Sequence, residues 1–393
     1  MKETVIVSAC RTPFGGFGGA LKDIPAAKLG GLAIAEAVRR AGIRPATIDQ
    51  VFMGMVVQAG AGQVPSRQAT LAAGLPLEVP SDTINKVCAS SLRAVNLADS
   101  LIRAGDASIV VAGGMENMSQ GPYLLPGARF GYRLGHGTLL DATVHDGLWC
   151  PVKNVHMGNH GNTMAKKFNF SREDQDAWAY RSHRLAIAAM DAGYFDQEIV
   201  PVEIPQRKGP PTKFTADETP RRDTSPEKLA ALRPAFDPAG TVTAGNAPSI
   251  NDGACALVLM SREKAQELGL EPLATIVSQG MVSSEAEDLG TVPALSAKKA
   301  LERVGLTFAQ MDLVEINEAF ATVTLTSIKL AGLDPDRVNV NGGAIAIGHP
   351  IGASGGRILM TLIYELRRRG LKYGVAAICS GGGQGEATVV RVK

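Results

Sequence analysis

The two halves of the chain carry the same pattern of glycine, aspartate and apolar segments. Gly42 follows an amphipathic helical stretch and Asp49 opens an apolar run; Gly305 and Asp312 stand in the same relation, each 263 residues further on. Gly105 and Gly370, each followed by a short apolar run, are 265 residues apart. Markers that keep nearly one register over roughly 60 residues favour an internal duplication. The alternative is that generic strand–helix units look alike.

Apolar strand-like runs alternate with helical patterns in both halves. Each helical stretch ends at a glycine, the residue that most readily closes a helix. This alternation predicts an α/β fold with a mostly parallel sheet that is covered on both faces. The predicted helices are 26–41, 90–104 and 297–304, and the predicted strands are 4–8, 49–57, 108–112 and 374–378.

A segment of different composition separates the halves. Residues 119–245 are richer in proline, histidine, tyrosine, tryptophan and charge, and carry one helical pattern near 172–192. So long a segment is not a simple connection in a compact domain, so we expect an inserted loop domain that shapes a site. The apolar run 251–261 then completes the first sheet. The expected organisation is an N-terminal half (1–118 plus 246–270), the inserted domain (119–245) and a C-terminal half (271–393).

Charge and cysteine content exclude several classes of protein. Forty Lys and Arg against 38 Asp and Glu leave a charge of +2, too balanced for a protein that wraps nucleic acid. Five cysteines without a C-x-x-C pair argue against a disulfide framework or a structural zinc site. No apolar run reaches the ~18 residues of a membrane span, and the first residues lack the apolar core of a signal peptide. We expect a cytoplasmic protein with neither nucleic acid nor membrane as a partner.

Cys88 lies where an extended run meets a helix, in INKVCASSLRAV. A thiol near the first turn of a helix faces unpaired N–H groups and the positive end of the helix dipole, which lower its pKa. Cys88 is therefore a candidate nucleophile. Taken alone, a buried cysteine that acts as a small hydrophobic residue is the commoner explanation.

Cys379 ends the apolar run VAAICS and opens the turn SGGGQG. Open α/β sheets bind ligands at the carboxyl ends of parallel strands, and glycines leave backbone N–H groups free to face an oxyanion. Cys379 and Gly381 are therefore candidate site residues. A glycine turn that joins two strands of a hairpin explains the same pattern.

His349 stands in NGGAIAIGHPIGASGG, where six of sixteen residues are glycine. A histidine presented by such a loop suits general-base work on a thiol, because it ordinarily titrates near neutral pH. Asn317, in EINEAF, ends a strand, and its amide suits a water or a carbonyl oxygen. A structural histidine and a capping asparagine are the alternatives.

Three weaker patterns carry less. Gly16-Phe-Gly18-Gly19 begins a dinucleotide-binding fingerprint, but Leu21 takes its third glycine position. His156 and His160 have i, i+4 spacing, but Gly158 and Gly161 argue against a helix there and no third ligand is near, so we expect no metal. Arg221 and Arg222 are a modest phosphate-binding signal.

Six segments, taken in order, resemble the thiolase family. They are INKVCASSLRAV, VAGGMENMS, TVTAGNAPSINDG, NEAF, NGGAIAIGHPIGASG and CSGGGQG, and the opening VIVSACRTPFG fits as well, so the resemblance covers the whole chain. The elements GHPxGxSG and CxGGGxG are highly specific together. The resemblance implies a five-layered αβαβα fold of two duplicated halves, with an inserted loop domain that binds coenzyme A.

The resemblance also implies roles for the candidate residues. Cys88 would take the acyl group as a thioester, His349 would activate Cys88, and Cys379 would move the proton at C2 of a second acetyl-CoA. Asn317 with His349 would hold the water of one oxyanion hole, and the N–H groups of Cys88 and Gly381 would form the other. Claisen condensation suits two thiols whose pKa values are tuned toward neutrality.

The substrate-binding residues are likewise implied by position. His156-Met157-Gly158 resembles the short-chain, acetoacetyl-CoA-forming branch, in which these residues line a small acyl pocket. Arg221 falls where the family has a coenzyme-binding arginine, Ser249 falls near a pantetheine-contacting serine, and Ala319 and Phe320 belong to the NEAF element. Two positions depart from the family pattern: Pro248 takes the usual serine position, and Ser380 replaces an apolar residue that often follows the second cysteine.

The expected activity is that of an acetyl-CoA C-acetyltransferase, which interconverts two acetyl-CoA with acetoacetyl-CoA and coenzyme A. A degradative 3-ketoacyl-CoA thiolase of broader specificity is the nearest alternative. A non-catalytic acyl-CoA- or lipid-binding member would lack Cys88, His349 or Cys379, and all three are present. A nicotinamide-dependent oxidoreductase is the alternative at the level of the fold.

The resemblance also implies how the protein is assembled and used. We expect that it needs no cofactor, because the coenzyme A thioesters are its substrates. We expect a homotetramer built as a dimer of dimers, and a role in fatty acid metabolism.

Overall fold

Ten strands form one hydrogen-bonded sheet in the computed structural model, which describes residues 2–393. Three two-stranded ribbons lie outside it. The strands are β1 (Thr4–Arg11), β2 (Gly15–Gly16), β3 (Gln50–Gly54), β4 (Ser81–Ile84), β5 (Ile109–Asn117), β6 (Tyr123–Leu124), β7 (Leu140–Asp141), β8 (Trp149–Cys150), β9 (Val155–His156), β10 (Val202–Ile204), β11 (Thr212–Phe214), β12 (Asn251–Ser261), β13 (Ala274–Ser283), β14 (Leu313–Ile316), β15 (Tyr373–Ser380) and β16 (Gln384–Arg391).

Helices cover the outer faces of this sheet and also lie between its two halves. They are α1 (Ala26–Ala41), α2 (Pro65–Ala72), α3 (Ser90–Ala104), α4 (Met157–Phe168), α5 (Arg172–Asp191), α6 (Pro226–Ala230), α7 (Arg262–Glu267), α8 (Val292–Glu302), α9 (Ala321–Ala331), α10 (Ala344–Ile347) and α11 (Ser354–Arg369). Among residues 2–393, no helix is both long and apolar enough to span a bilayer.

The strand order divides the sheet between the two halves of the chain. The first half contributes β4-β3-β5-β12-β1, with β2 beside β12, and the second contributes β14-β15-β16-β13. They join where β1 meets β13, through the pairs Val5–Thr275 and Ile6–Ala274. The run 251–261 thus lies between β1 and β5, in the first half of the sheet.

Five layers result from the packing of helices on these two sheet halves. Apolar side chains of α3 and α11 form one core with inward-facing residues of β5 and β15. Alternate β5 residues face the opposite way and pack against α1, as the period of a strand requires. Helices α8 and α9 cover the outer face of the second half. The order is helix, sheet, helix, sheet, helix, as expected.

The sheet is mixed, so the prediction of a mostly parallel sheet is wrong. Only the pairs β3–β4, β3–β5 and β14–β15 run parallel among the described strands. The long strands β12, β13 and β16 run antiparallel to their neighbours. Alternation of strands and helices does not reveal the direction of strands that return without a helix.

The internal duplication is visible in matched side-chain roles. One carboxylate oxygen of Asp49 accepts the N–H groups of Ser108 and Ile109 at 2.7 and 2.9 Å. The equivalent oxygen of Asp312 accepts the N–H groups at positions 372 and 373 at 2.9 and 2.8 Å. Gly42 and Gly305, at matching places, both have φ of +66°.

The segment 119–245 contributes no strand to the ten-stranded sheet. It contains α4, α5 and α6 and the ribbons β6–β7, β8–β9 and β10–β11. Helix α5 begins at a capping box, in which Ser171 and Asp174 exchange hydrogen bonds, and it ends within a residue of the predicted 172–192.

Candidate active site

Both halves and the segment 119–245 meet around one apolar cavity of about 170 Å³. Cys88 comes from the first half, and His349, Cys379 and Gly381 come from the second. The acyl-pocket candidates also line it: His156, Met157, Ser249, Ala319 and Phe320. The predicted catalytic and acyl-pocket residues other than Asn317 thus converge on one cavity, although up to 293 positions separate them along the chain.

Cys88 occupies a tight turn just before α3. The N–H of Ala89 donates to the carbonyl of Lys86 at 3.1 Å and closes the turn. Its second residue, Val87, has φ of +44°, a conformation that β-branched residues rarely adopt. The Ser90 hydroxyl accepts from the N–H of Lys86 and donates to the carbonyl of Val87. The turn presents the Cys88 side chain to the cavity, and α3 begins two residues later.

The resting form of Cys88 is the thiol, so the expected lowering of its pKa is wrong. Burial raises the pKa of the Cys88 thiol to about 12; the backbone N–H of Cys88 itself lowers this pKa, and the Glu116 carboxylate raises it. Burial also raises the pKa of Cys379 well above its usual value, and the neighbouring Cys88 adds to this. The dipole of α3 does not outweigh the loss of solvent.

Two hydrogen bonds hold His349. Its backbone N–H donates to Oδ1 of Asn251 at 2.8 Å, and its Nδ1 lies 2.6 Å from the hydroxyl of Ser354. Burial lowers the pKa of His349 to about 3, and the Arg357 guanidinium adds to this. The imidazole is therefore neutral near neutral pH and able to accept a proton.

Cys379 sits at the end of β15, where β15 and β16 form a hairpin. Cys379 pairs with Gly385 across the hairpin, so the alternative interpretation of SGGGQG as a hairpin turn is also correct. Gly382 and Gly383 have φ of +74° and +69°, and a Cβ on Gly383 would lie 2.4 Å from the carbonyl of Glu285. Glycine is required there because the turn approaches the neighbouring backbone so closely.

Asn317 lies just beyond β14. It does not line the cavity, but its side chain is fully buried, and neither amide atom has a hydrogen-bond partner within residues 2–393. An unpaired buried amide is costly and therefore suits a polar ligand or water.

Glu318 anchors the loop that leads to His349. Its carboxylate accepts hydrogen bonds from the indole of Trp178, the hydroxyl of Ser182 and the backbone N–H of Ile345 at 2.7–3.1 Å. Trp178 and Ser182 belong to α5. Glu318 therefore fastens the segment 119–245 to the glycine-rich loop.

Aromatic rings line part of this cavity. His156 stacks on Phe236 with ring centres 4.4 Å apart, and Phe236 meets Phe320 edge-on at 6.2 Å. Nδ1 of His156 accepts the N–H of Gly158 at 3.1 Å and so caps α4. The imidazole remains neutral because burial lowers the pKa of His156.

Helix α4 contradicts the expectation that Gly158 and Gly161 interrupt a helix. The helix runs through both glycines. Glycine is needed at these positions because a Cβ on Gly158 would lie 2.1 Å from the ring of Phe236 and one on Gly161 would lie 3.0 Å from Val242. The glycines let α4 approach the wall of the cavity. No group of three His, Cys, Asp or Glu within residues 2–393 is placed to bind a metal.

A second, more polar cavity of about 410 Å³ shares Ala247 and Ser249 with the first. Arg221 lines it, and the backbone N–H of Arg221 donates to Nδ1 of His183 at 3.1 Å. Arg222 instead makes two hydrogen bonds to Asp191, so of the two predicted phosphate ligands only Arg221 faces this groove.

Ser249, which lines both cavities, is tied to the histidine loop. Its hydroxyl donates to Oδ1 of Asn251 at 3.0 Å, the same oxygen that accepts the backbone N–H of His349. Asn251 therefore joins Ser249 to the backbone of His349.

The sequence analysis did not predict several residues that shape this site. Glu116 is fully buried and accepts the N–H groups of Val56 and Val57 at 3.0 and 3.1 Å; burial raises the pKa of this carboxyl to about 7. It lies in VAGGMENMS, and Asn251 and Ser354 lie in the other segments that carried the resemblance. Phe236 lies in none of them, and only the fold reveals it.

Comparisons with known proteins agree with this geometry. Residues 4–263 match the family model described as "Thiolase, N-terminal domain", and residues 270–392 match "Thiolase, C-terminal domain". The chain is 52% identical to an acetyl-CoA acetyltransferase of Cupriavidus necator, with all of both chains covered. It is 49% identical to an acetyl-CoA acetyltransferase of Pseudomonas aeruginosa, with 98% of both covered. The crystal structure of the Bacillus anthracis acetyl-CoA acetyltransferase superposes with a TM-score of 0.97 at 44% identity, covering 100% of this chain and 99% of that one. The chain belongs to the thiolase family.

Proposed function

We propose that this chain is an acetyl-CoA C-acetyltransferase, which interconverts two acetyl-CoA with acetoacetyl-CoA and free coenzyme A. The observation that carries the proposal is the single cavity that brings together Cys88, His349 and Cys379. Relatives about 50% identical over nearly their whole length bear this activity in their names.

Acyl transfer to Cys88 follows from the protonation states at rest. As the Cys88 sulfur attacks the thioester carbonyl, Nε2 of His349 takes the thiol proton. The carbonyl oxygen becomes an oxyanion, which the N–H groups of Cys88 and Gly381 stabilise. When the tetrahedral intermediate collapses, the coenzyme A thiolate leaves and takes the proton from the imidazolium. Acetyl-Cys88 remains, and the enzyme gains no net charge.

Cleavage of acetoacetyl-CoA uses the second thiol. Cys88 attacks the ketone carbon and gives its proton to His349, and the bond between C2 and C3 breaks toward an enolate of acetyl-CoA. Cys379 protonates C2, and His349 returns its proton to Cys379. Asn317 and His349 would hold the water that stabilises the enolate oxygen. Condensation is the reverse sequence, in which the Cys379 thiolate is a strong base because its pKa is high.

The groove beside Arg221 would bind coenzyme A. Its polar lining contrasts with the apolar acyl cavity, and Ser249 lies where the two meet. Arg221 would contact phosphate there, while Ser249 would contact the pantetheine arm. The coenzyme A thioesters are substrates, and the steps above use only side chains of this chain and bound water.

The size of the acyl cavity favours short substrates over those of a broader 3-ketoacyl-CoA thiolase. About 170 Å³ enclosed by His156, Met157, Phe236 and Phe320 suits an acetyl or acetoacetyl group. Each further methylene would need space that these rings occupy.

We extend the proposal to organisation and setting. The domain boundaries are those expected from the sequence, with residues 119–245 as the inserted domain. The proposed assembly is a homotetramer. Phe130 and Leu134, 92% and 99% exposed in this segment, are apolar side chains that a neighbouring subunit would cover. All five cysteines are free thiols, which supports a cytoplasmic location. The names of the relatives, acetyl-CoA acetyltransferase, support a place in acyl-CoA and fatty acid metabolism.

Mass spectrometry of the intact protein after brief exposure to acetyl-CoA tests the proposal. We expect the addition of one acetyl group, mapped to the peptide that contains Cys88. Cys88→Ala should remove it, whereas Cys10→Ala, which removes a buried thiol that does not line the cavity, should keep it. Full acetylation at another cysteine, or none at all, would refute the proposal.

A further inference from the structure

One hydrogen bond beside the cavity joins the two halves of the chain directly. The hydroxyl of Ser380 donates to the carbonyl of Lys86. Ser380 follows Cys379, and Lys86 lies two residues before Cys88, so the bond links the segments that carry the two thiols. Ser380 is fully buried. An apolar residue at position 380 would leave this carbonyl with one donor fewer.

The carbonyl that Ser380 binds is the one that closes the Cys88 turn. The carbonyl of Lys86 also accepts the N–H of Ala89. Val87, which lies within the turn between Lys86 and Ala89, has φ of +44°. A β-branched residue keeps such a conformation only where its surroundings enforce it. The Ser380 hydroxyl is therefore placed to oppose relaxation of the turn.

Two further contacts with the β15–β16 hairpin support the same turn. The ammonium of Lys86 lies 2.6 Å from the buried carboxylate of Glu386 on β16. Gly381 packs against Val87, since a Cβ there would lie 3.2 Å from a Val87 methyl group. The hairpin that carries Cys379 thus contacts the Cys88 turn in three ways: a hydrogen bond to the Lys86 carbonyl, an ion pair with the Lys86 ammonium, and packing against Val87.

We propose that Ser380 is a positioning residue, whose hydroxyl holds the strained Cys88 turn against the Cys379 hairpin and so sets the reactivity of the Cys88 sulfur. The inference rests on the proposed function for its catalytic meaning. The contacts that carry it need no substrate. It can therefore be tested on thiol reactivity alone.

The test compares Ser380→Ala with Ser296→Ala. Ser296 is also fully buried and donates to a main-chain carbonyl, that of Pro293 at 3.0 Å, but it does not line the cavity. The first readout is the rate at which iodoacetamide alkylates Cys88, followed by mass spectrometry of the Cys88 peptide. The second is the rate of Cys88 acetylation, with the KM for acetyl-CoA.

We expect Ser380→Ala to slow both reactions of Cys88 about fivefold or more, about the worth of one net hydrogen bond, with the KM changed less than twofold. Ser380→Thr, which keeps the hydroxyl, should restore both rates. Ser296→Ala should leave both unchanged. If Ser380→Ala does not fold, Glu386→Gln weakens the same attachment and should slow alkylation in the same direction.

Unchanged alkylation and acetylation in Ser380→Ala, with only a stability loss like that of Ser296→Ala, would overturn the proposal. So would failure of Ser380→Thr to restore the rates although it folds. If wild-type Cys88 is never acetylated but alkylation still falls in Ser380→Ala, the proposed function fails and the positioning role stands.

Discussion

Nδ1 of His349 lies 2.6 Å from the hydroxyl of Ser354, at the start of α11. That hydroxyl donates its own proton to the carbonyl of Pro350 at 2.9 Å, so it accepts from His349. The geometry assigns the imidazole proton to Nδ1 and leaves the lone pair of Nε2 as the base. Nε2 is buried and has no hydrogen-bond partner within residues 2–393. A single serine thus decides which nitrogen accepts the Cys88 proton.

Replacement of Ser354 by alanine should slow acetylation of Cys88 about tenfold, because the imidazole loses its fixed tautomer and orientation. Rapid-quench measurement of acetylation checks this. Ser354→Ala should add nothing to His349→Ala, since Ser354 acts on the reaction only through the imidazole of His349. Additive losses in the double variant would mean that Ser354 acts on stability rather than through His349.

The depressed pKa of His349 predicts a loss of stability in acid. Its pKa is about 3 in the folded chain, where burial and Arg357 disfavour the charged form, against about 6.5 when unfolded. Between these values the unfolded chain binds a proton that the folded chain does not, so stability falls as the pH drops below about 6.5. The contribution approaches about 1.4 kcal/mol per pH unit.

Denaturant unfolding of wild type and His349→Asn at pH 7 and pH 4.5 checks this. The stability of the wild type relative to the variant should fall by about 2.5 kcal/mol over that range, because asparagine does not titrate. The comparison cancels the opposite trend from Glu116, whose pKa is raised to about 7 by burial. An unchanged difference would show that His349 is charged in the folded protein.

Local chemistry made part of the fold predictable. Helices α1 and α3 have the predicted bounds because Gly42 and Gly105 end them in the left-handed conformation. Cys88, His349 and Cys379 were recognisable as candidates because strand ends, helix starts and glycine-rich turns present side chains to a shared cavity. In each case the signal lies within a few residues of the feature.

Long-range packing made the rest unpredictable. The glycines of α4 argue against a helix when only the sequence is known. In the fold, the ring of Phe236, 78 residues after Gly158, occupies the space that a Cβ at Gly158 would need. The pKa values of the thiols depend on burial by both halves of the chain, which outweighs the nearby helix. Periodicity likewise does not give strand direction, and so the mixed sheet was missed.

The aromatic wall of the acyl cavity predicts a preference for short chains. Thiolysis kcat/KM should fall steeply from acetoacetyl-CoA to six- and eight-carbon 3-ketoacyl-CoAs, because the longer chains meet Phe236 and Phe320. In a pocket built for long chains, each buried methylene would instead gain about 0.8 kcal/mol. Equal or rising kcat/KM with chain length would favour the degradative class.

Phe236→Ala tests whether that wall sets the limit. Removal of the ring should raise the six-carbon to four-carbon ratio of kcat/KM about tenfold, since space opens beside His156. Phe170→Ala removes a ring outside the cavity and should leave the ratio unchanged. An unchanged ratio in Phe236→Ala would place the limit elsewhere.

Loss of the Cys379 thiol should separate acyl transfer from carbanion chemistry. Cys379 is the penultimate residue of β15, beside the Gly381–Gly383 turn, and it lines the same cavity as Cys88. In the proposed mechanism His349, not Cys379, takes the proton of Cys88. Cys379→Ala should therefore still become acetylated on Cys88 and exchange acetyl groups between coenzyme A molecules. It should lose exchange of the C2 hydrogens of acetyl-CoA with deuterated solvent, and it should lose condensation as well.

General acid–base groups contribute about 10²–10⁴-fold, so C2 exchange in Cys379→Ala should fall at least about 100-fold and more substrate should not restore it. Cys10→Ala, which removes another buried thiol, should keep both reactions. If Cys379→Ala blocks acetylation while C2 exchange persists, the two cysteines have the opposite roles.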